Sequence, residues 1–373
     1  MANMENYLLD EAVVFVAGNN YDIIWNTTAP GLAWIECGGK KFYDHANGNI
    51  KSEETVHRVT VPMTVLDEAR EYTIFFRESI DRKAYFPVTG DECTKTYKFR
   101  PVEKDKDYKF YFLADTHNEY EDPIKAAQKY ADEIDFLMLG GDIPNDCENF
   151  DKGLRTIFRI SGAVAKGEIP VVSARGNHDT RGHIAPTYHR YSPLVNGEMY
   201  FTFVIGDIFG IILDCGEDKP DSHPEYGFVN CFEPYRNGVT EFIEEVADKG
   251  EYKNYKHTLV ICHERVNANN HAHFISEYEK WVKAINKISP DAMLCGHEHT
   301  CKIFQKGQRH FETDTVIEFN TVVTGQVRGN KRTTNANLPK GYTGGFFTLS
   351  DKELTVAFTN DMHEIEGTHT IEL

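Results

Sequence analysis

The chain has 373 residues, and 40% of them are hydrophobic, which is enough for two or three domains with buried cores and excludes a disordered chain. Its 40 Lys and Arg against 58 Asp and Glu leave a formal charge of −18, so no net positive field favours non-specific nucleic-acid binding or docking on an anionic membrane. Eight cysteines form no CxxC pair, and a chain this long needs no disulfide staples, so reduced thiols in the cytoplasm are expected.

Residues 1–18 carry no basic leader, and Asp10 and Glu11 interrupt the first apolar stretch, so neither a signal peptide nor a transmembrane segment is expected. From residue 12 to residue 100 short β-like runs follow one another: Val13 to Val16, Asp22 to Trp25, Ala33 to Cys37, Val56 to Val61 and Tyr72 to Arg77. Pro30, Gly31, Gly38, Gly39, Asn47 and Gly48 punctuate them. Strands at that spacing, with no helical stretch, predict a small antiparallel β-sandwich over 1–102. The fully charged run Glu103 to Asp107 predicts a linker at 103–107 and a second domain over 108–373.

Beyond the linker, helical patterns alternate with strand-like runs, which predicts an α/β domain. Asp122 caps a predicted helix opened by Pro123, with Ile124, Ala127, Ala131 and Ile134 on one face. Phe150, Leu154, Ile157 and Phe158 repeat that spacing. Ser276 and Glu279 form a capping box ahead of Trp281, Val282, Ile285 and Ile288. Hairpins are expected around Gly206-Asp207 and around Ser350 to Glu353, and residues 215–237 read as a long loop walling a site.

The chemistry lies at the ends of five apolar runs. Phe110 to Ala114 ends in Asp115-Thr116-His117, and Leu137 to Leu139 ends in Gly140-Gly141-Asp142. Val171 to Ala174 leads into Gly176-Asn177-His178-Asp179, Leu259 to Cys262 ends in His263, and Ala292 to Cys295 ends in Gly296-His297-Glu298-His299. In open α/β sheets the ligand crevice lies beyond the carboxyl ends of the strands, so these ends converge. Singly, such residues are turn, cap or surface groups; as an ordered set they are a metal-ligand constellation.

The order DxH, GGD, GNHD, H and GHxH over residues 108–373 resembles the calcineurin-like metallophosphoesterase family. That resemblance implies two mixed β-sheets in a sandwich flanked by helices, with metals at the strand ends. Asp115, His117 and His299 would bind one metal, Asn177, His263 and His297 the other, and Asp142 would bridge both. Mixed oxygen and nitrogen donors suit two transition-metal ions of the Mn, Fe, Zn, Co and Ni group, and the absence of Cys disfavours a closed structural zinc site. The implied reaction is metal-dependent hydrolysis of a small phosphomonoester or phosphodiester, in which a bridging hydroxide attacks phosphorus in line. His178 would protonate the leaving group or steady the phosphoryl oxygens, and Asp179 would either orient that imidazole or cap a turn. Asn118, Arg181 and His183 adjoin the ligand motifs as substrate contacts or as ordinary loop groups. His271 and His273, in the polar stretch after His263, either line the pocket or solvate a loop. No Walker loop and no Cys-x5-Arg loop offers a rival phosphate chemistry.

Trp25-Asn26-Thr27 before Pro30, and Glu71-Tyr72-Thr73 leading into Phe75-Phe76-Arg77, resemble the fibronectin-like sandwich that precedes the catalytic domain of purple acid phosphatases. His117 stands where those enzymes have glycine, and Asn145 where they carry a metal-bound tyrosine, so a colourless enzyme is expected. Two divalent ions among two aspartates leave the site locally positive despite the acidic chain, which suits a small phosphoester. The alternative is a non-catalytic binding or scaffold protein on the same fold.

Overall fold

In the computed structural model the described residues are 2–268, 274–329 and 339–373. The strand Tyr108–Leu113 shows how the sequence builds the layers. Tyr108, Phe110 and Phe112 pack into one core, while Tyr111 and Leu113, on the opposite face, pack into a second. Phe136 and Met138 alternate with Leu137 and Leu139 in the same way, as do Val14 and Val16 with Val13 and Phe15. Apolar residues on both faces of a strand require cover on both faces, and this sheet has it.

The largest sheet runs in the order Ile365–Glu372, Glu353–Asn360, Gly341–Leu349, Tyr108–Leu113, Phe136–Leu139, Pro170–Ser173, Val13–Ala17, Asn20–Asn26 and Val56–Pro62. Its four central strands, Tyr108–Leu113 to Val13–Ala17, are parallel, and the outer ones antiparallel. One face is covered by the helices Glu121–Gln128 and Arg155–Ala165, which contribute Ala126, Ala127, Ile157, Phe158 and Val164. The other face meets a second mixed sheet whose central strands are Ile208–Ile212, His257–Ile261, Ala292–Cys295 and Thr321–Val323. The outer face of that sheet is covered by Phe232–Lys249 and Ile275–Ile288 through Val239, Ile243, Trp281 and Ile285. These are the two mixed β-sheets flanked by helices that the resemblance implies, with a β-rich N-terminal region ahead of them.

Each of the five N-terminal runs forms a strand, but they divide between two sheets. Gly31–Cys37 and Glu71–Asp81 lie in a separate sheet, while Val13–Ala17, Asn20–Asn26 and Val56–Pro62 extend the large one. Val14 pairs with Pro170 and Phe15 with Val171, so the charged segment 103–107 separates two stretches of chain without separating two sheets.

Local departures from expectation have local causes. The helix expected from Asp122 to Ile134 is Glu121–Gln128, capped at Tyr120 without a side-chain hydrogen bond, and turns then carry Ala131 and Ile134 into the core. Ser276 lies inside Ile275–Ile288, so its capping box is unused. Residues 215–237 are not all loop, because Phe232–Lys249 begins within them, and the C-terminal hairpin gains a third strand, Ile365–Glu372. Among the described residues no helix is long and apolar enough to cross a membrane.

Candidate metal centre

The five strand ends converge as the spacing requires. Asp115, His117, Asn118, Asp142, His297 and His299 all adopt positive φ, between 46° and 72°. Non-glycine residues seldom take that conformation, and here it turns each chain sharply off its strand so that the side chains face one another. The glycines make room for this approach. A Cβ at Gly141 (φ +91°) would lie 2.7 Å from His263 Nδ1 and 2.6 Å from the Gly176 nitrogen, and one at Gly176 would collide with the Asp142 carboxylate.

Three overlapping clusters result: Asp115, His117 and His299; Asp142, His263 and His297; and His117, Asp142 and His178. His117 Nε2 is 3.2 Å from His299 Nε2, and His299 Nε2 is 3.8 Å from Asp115 Oδ1. Asp142 Oδ2 lies 3.2 Å from His263 Nε2 and 3.9 Å from His117 Nε2, between the two groups. Backbone amides fix the carboxylates, with His297 N–H donating to Asp115 and His178 N–H to Asp142, each at 2.8 Å. His263 donates from Nδ1 to the Gly140 carbonyl at 2.7 Å, which turns its Nε2 towards Asp142; in the metal-free protein that carboxylate raises the imidazole pKa and so favours a proton there, the position a metal would take.

A cation fits this donor set. One amide atom of Asn177 sits 3.1 Å from His297 Nδ1, 3.2 Å from His263 Nε2 and 3.3 Å from Asp142 Oδ2; in the metal-free protein the nitrogen satisfies these contacts, and a bound cation would call for the oxygen. Asp115 Oδ1 is buried with no hydrogen-bond partner among the described residues. Buried acceptors in that state are costly unless a donor or a cation meets them. Burial drives the Asp115 carboxyl well above the usual range, whereas Asp142, equally buried, is held well below it, chiefly by His263. Burial also pushes the His117 and His299 imidazoles down to about 3 and about 4, so both are neutral, the state in which imidazole binds metal.

His178 stands at the edge of the clusters with Nε2 4.0 Å from Asp142 Oδ2. Its Nδ1 donates to the Asn145 carbonyl at 2.7 Å, and its Nε2 accepts from Arg181 Nη1 at 2.8 Å, because a guanidinium has only donors. Of the two roles expected for Asp179, the contacts match the turn cap and not the orienting of His178. That carboxylate, fully buried, accepts instead from the backbone amides of Gly176 and Asp142 at 2.5 and 2.9 Å and pins the two metal-binding turns together. Burial, reinforced by Asp142, raises its pKa to about 7.

The substrate-side candidates divide. Asn118 accepts from the Asn145 amide at 3.0 Å and so braces the carbonyl that holds His178. Arg181 is clamped by Glu217 through Nε and Nη2 at 2.8 and 2.6 Å, with Asp218 and the Tyr226 hydroxyl within 3.2 Å. His183 is exposed, and no hydrogen bond joins its side chain to the site among the described residues. His271 and His273 lie outside the described residues. Sequence reasoning missed Glu217, Asp218 and Tyr226, whose only signal was their place in the loop read as a wall.

Clustered Asp and His side chains at the strand ends of a double-sheet α/β sandwich are the arrangement expected of a metallophosphoesterase. Residues 108–301, just over half of the chain, match the calcineurin-like phosphoesterase family, and the chain belongs to it. The fold is similar to that of the purple acid phosphatase PPD1 from yellow lupin (Lupinus luteus) seeds, at 12% identity and a TM-score of 0.60, covering 98% of this chain and 74% of that one. It is also similar to PhoD, at 12% identity and a TM-score of 0.56, covering 100% and 90%. At such identities the likeness is one of fold. No curated protein matches the sequence.

Proposed function

We propose that the protein hydrolyses phosphoric esters with two transition-metal ions. The observation that carries this reading is the pair of donor groups on either side of Asp142, one with Asp115, His117 and His299, the other with His263, His297 and the Asn177 amide oxygen. Bound there, two such ions would polarise the phosphoryl oxygens and lower the pKa of a shared water. Asp142 sits where one carboxylate can serve both ions, and Asn177 contributes a donor without adding charge. His178, fixed by Asn145 through Nδ1, takes or returns a proton at Nε2 beside the leaving oxygen. The N-terminal strands Val13–Ala17, Asn20–Asn26 and Val56–Pro62 serve as packing support, since they continue the sheet that carries Asp115, Asp142 and Asn177.

A scaffold role is disfavoured because every position of the ligand set is filled by a donor. The test is to strip the protein, refill it with Mn, and measure bound metal together with turnover on a phosphoester panel. Two ions per chain and turnover on at least one ester are expected; no turnover on any ester overturns the reading.

A further inference from the structure

The stretch expected to wall the site carries a turn whose residues suit neither the turn nor the core. Tyr226 begins it. Its hydroxyl accepts from Arg181 Nη2 at 3.0 Å and from Lys219 Nζ at 2.9 Å and lies 3.3 Å from Asp218, while Nη1 of the same arginine donates to His178 Nε2 at 2.8 Å. One guanidinium therefore separates the imidazole from the turn. The Val229 amide donates to the Tyr226 carbonyl at 3.1 Å and closes the turn around Gly227 and Phe228, at φ +56° and +62°. Two successive positive φ angles make the mirror-image turn that Gly and Asn favour, so a phenylalanine there carries backbone strain. Burial does not offset it, because Phe228 is 77% exposed and Val229 83%. Phe86, the other exposed phenylalanine at positive φ among the described residues, lies beyond Glu71–Asp81 on the separate front sheet.

Residues held in such strain cluster where they serve a ligand. Phe228 presents a flat aromatic face with Val229 beside it, on a turn anchored through Tyr226 to Arg181, Lys219 and Asp218. In the proposed reaction the leaving oxygen meets His178 Nε2, so the group attached to that oxygen extends on the side where Arg181 and Tyr226 stand. An exposed ring gains by excluding water against an apolar partner, and it meets a planar partner best because offset-stacked and edge-to-face contacts need flat faces. We infer that Phe228 is a specificity-determining residue that packs against a planar aromatic ring in the leaving group of the ester. This rests on the phosphoesterase reading above and deepens it by naming the leaving group, whichever ester class the centre takes.

The test titrates the Mn-loaded full chain by calorimetry with benzylphosphonate and cyclohexylmethylphosphonate, each as the free acid and as its monomethyl ester, so that the comparison holds for a monoester or a diester site. In these probes carbon replaces the leaving oxygen, so they are not hydrolysed; one carries a planar ring, the other an apolar ring of similar size that is not flat. The benzyl probe is expected to bind about tenfold more tightly, the upper range for an aromatic pair. Phe228→Asn, which suits the positive φ, should abolish that difference while raising the urea midpoint, and Phe228→Tyr should retain it. A residue that served only the turn would show the gain in stability without the change in preference. Equal binding of the two probes by the parent, or a preference that Phe228→Asn leaves unchanged, overturns the inference. If that variant instead dissociates a dimer seen by sedimentation, Phe228 belongs to a contact between copies and the inference falls as well. The same samples are assayed on the phosphoester panel: turnover alongside any of these failures leaves the phosphoesterase reading standing, and no turnover overturns both.

Discussion

His178 Nδ1 lies 2.7 Å from the carbonyl oxygen of Asn145, and the amide of Asn145 donates to Asn118 Oδ1 at 3.0 Å. The imidazole is thus held by a chain of two hydrogen bonds that touches no metal-ligand side chain. His178→Ala should lower kcat by about 10² while leaving bound metal unchanged. Asn118→Ala acts one bond further away and should lower it roughly tenfold. Metal analysis and turnover on the same samples check both, and unchanged turnover in His178→Ala removes that residue from the reaction.

Asp142 stands between the two donor groups, with His263 and His117 on either side of its Oδ2. Asp142→Ala should therefore empty both metal positions together, as read by metal stoichiometry after dialysis. Loss of one ion with retention of the other would refute the bridging role.

Gly176 has no room for a side chain, because a Cβ there collides with the Asp142 carboxylate. Gly176→Ala should destabilise the Mn-loaded protein by about 1–3 kcal/mol, the usual cost of forcing volume into a packed site. The metal-free protein, whose Asp142 is not held by ions, should lose less. Urea denaturation of both forms measures the difference, and equal losses would show that the clash is relieved elsewhere.

His57 gives a pH dependence separate from the metal centre. It is buried beneath the N-terminal strands, accepts from or donates to Thr27 Oγ1 at 3.0 Å, and burial, with Lys51 adding to it, lowers its pKa to about 3 from the model-compound value of 6.5. The folded protein keeps this ring neutral while the unfolded chain protonates it, so the stability it contributes is complete above pH 6.5 and is lost as pH falls towards 3. Between pH 6.5 and 4 the loss should be about 3 kcal/mol. His57→Gln should flatten the stability profile over that interval, and a profile as steep as that of the parent would discount the assignment.

The metal centre was legible because its residue types are rare and their spacing is local: each ligand follows its own apolar run within a few residues. The partners of the arginines were not legible. Glu217 lies 36 residues from Arg181 and Glu298 lies 33 from Arg265, and nothing in either stretch marks a carboxylate as buried rather than solvated. The choice between the two roles of Asp179 was not legible for a related reason. Adjacent residues on a tight turn point in different directions, so a carboxylate beside His178 in sequence was free to serve the backbone of Gly176 and Asp142 instead. The five N-terminal strands were read from alternation alone, but alternation does not say which strand pairs with which, and the partner of Val13–Ala17 is more than 150 residues away.

That pairing bears on how the protein could have been assembled and how it can be taken apart. Cutting the chain at 103–107 would strip Pro170–Ser173 of its neighbour and leave an apolar parallel strand as an open edge, the kind of surface that recruits other chains. The front region thus cannot be removed while leaving the large sheet intact. Val14 and Phe15 are paired with the strand that delivers Asn177, so an expression fragment meant to retain the centre has to begin before residue 12.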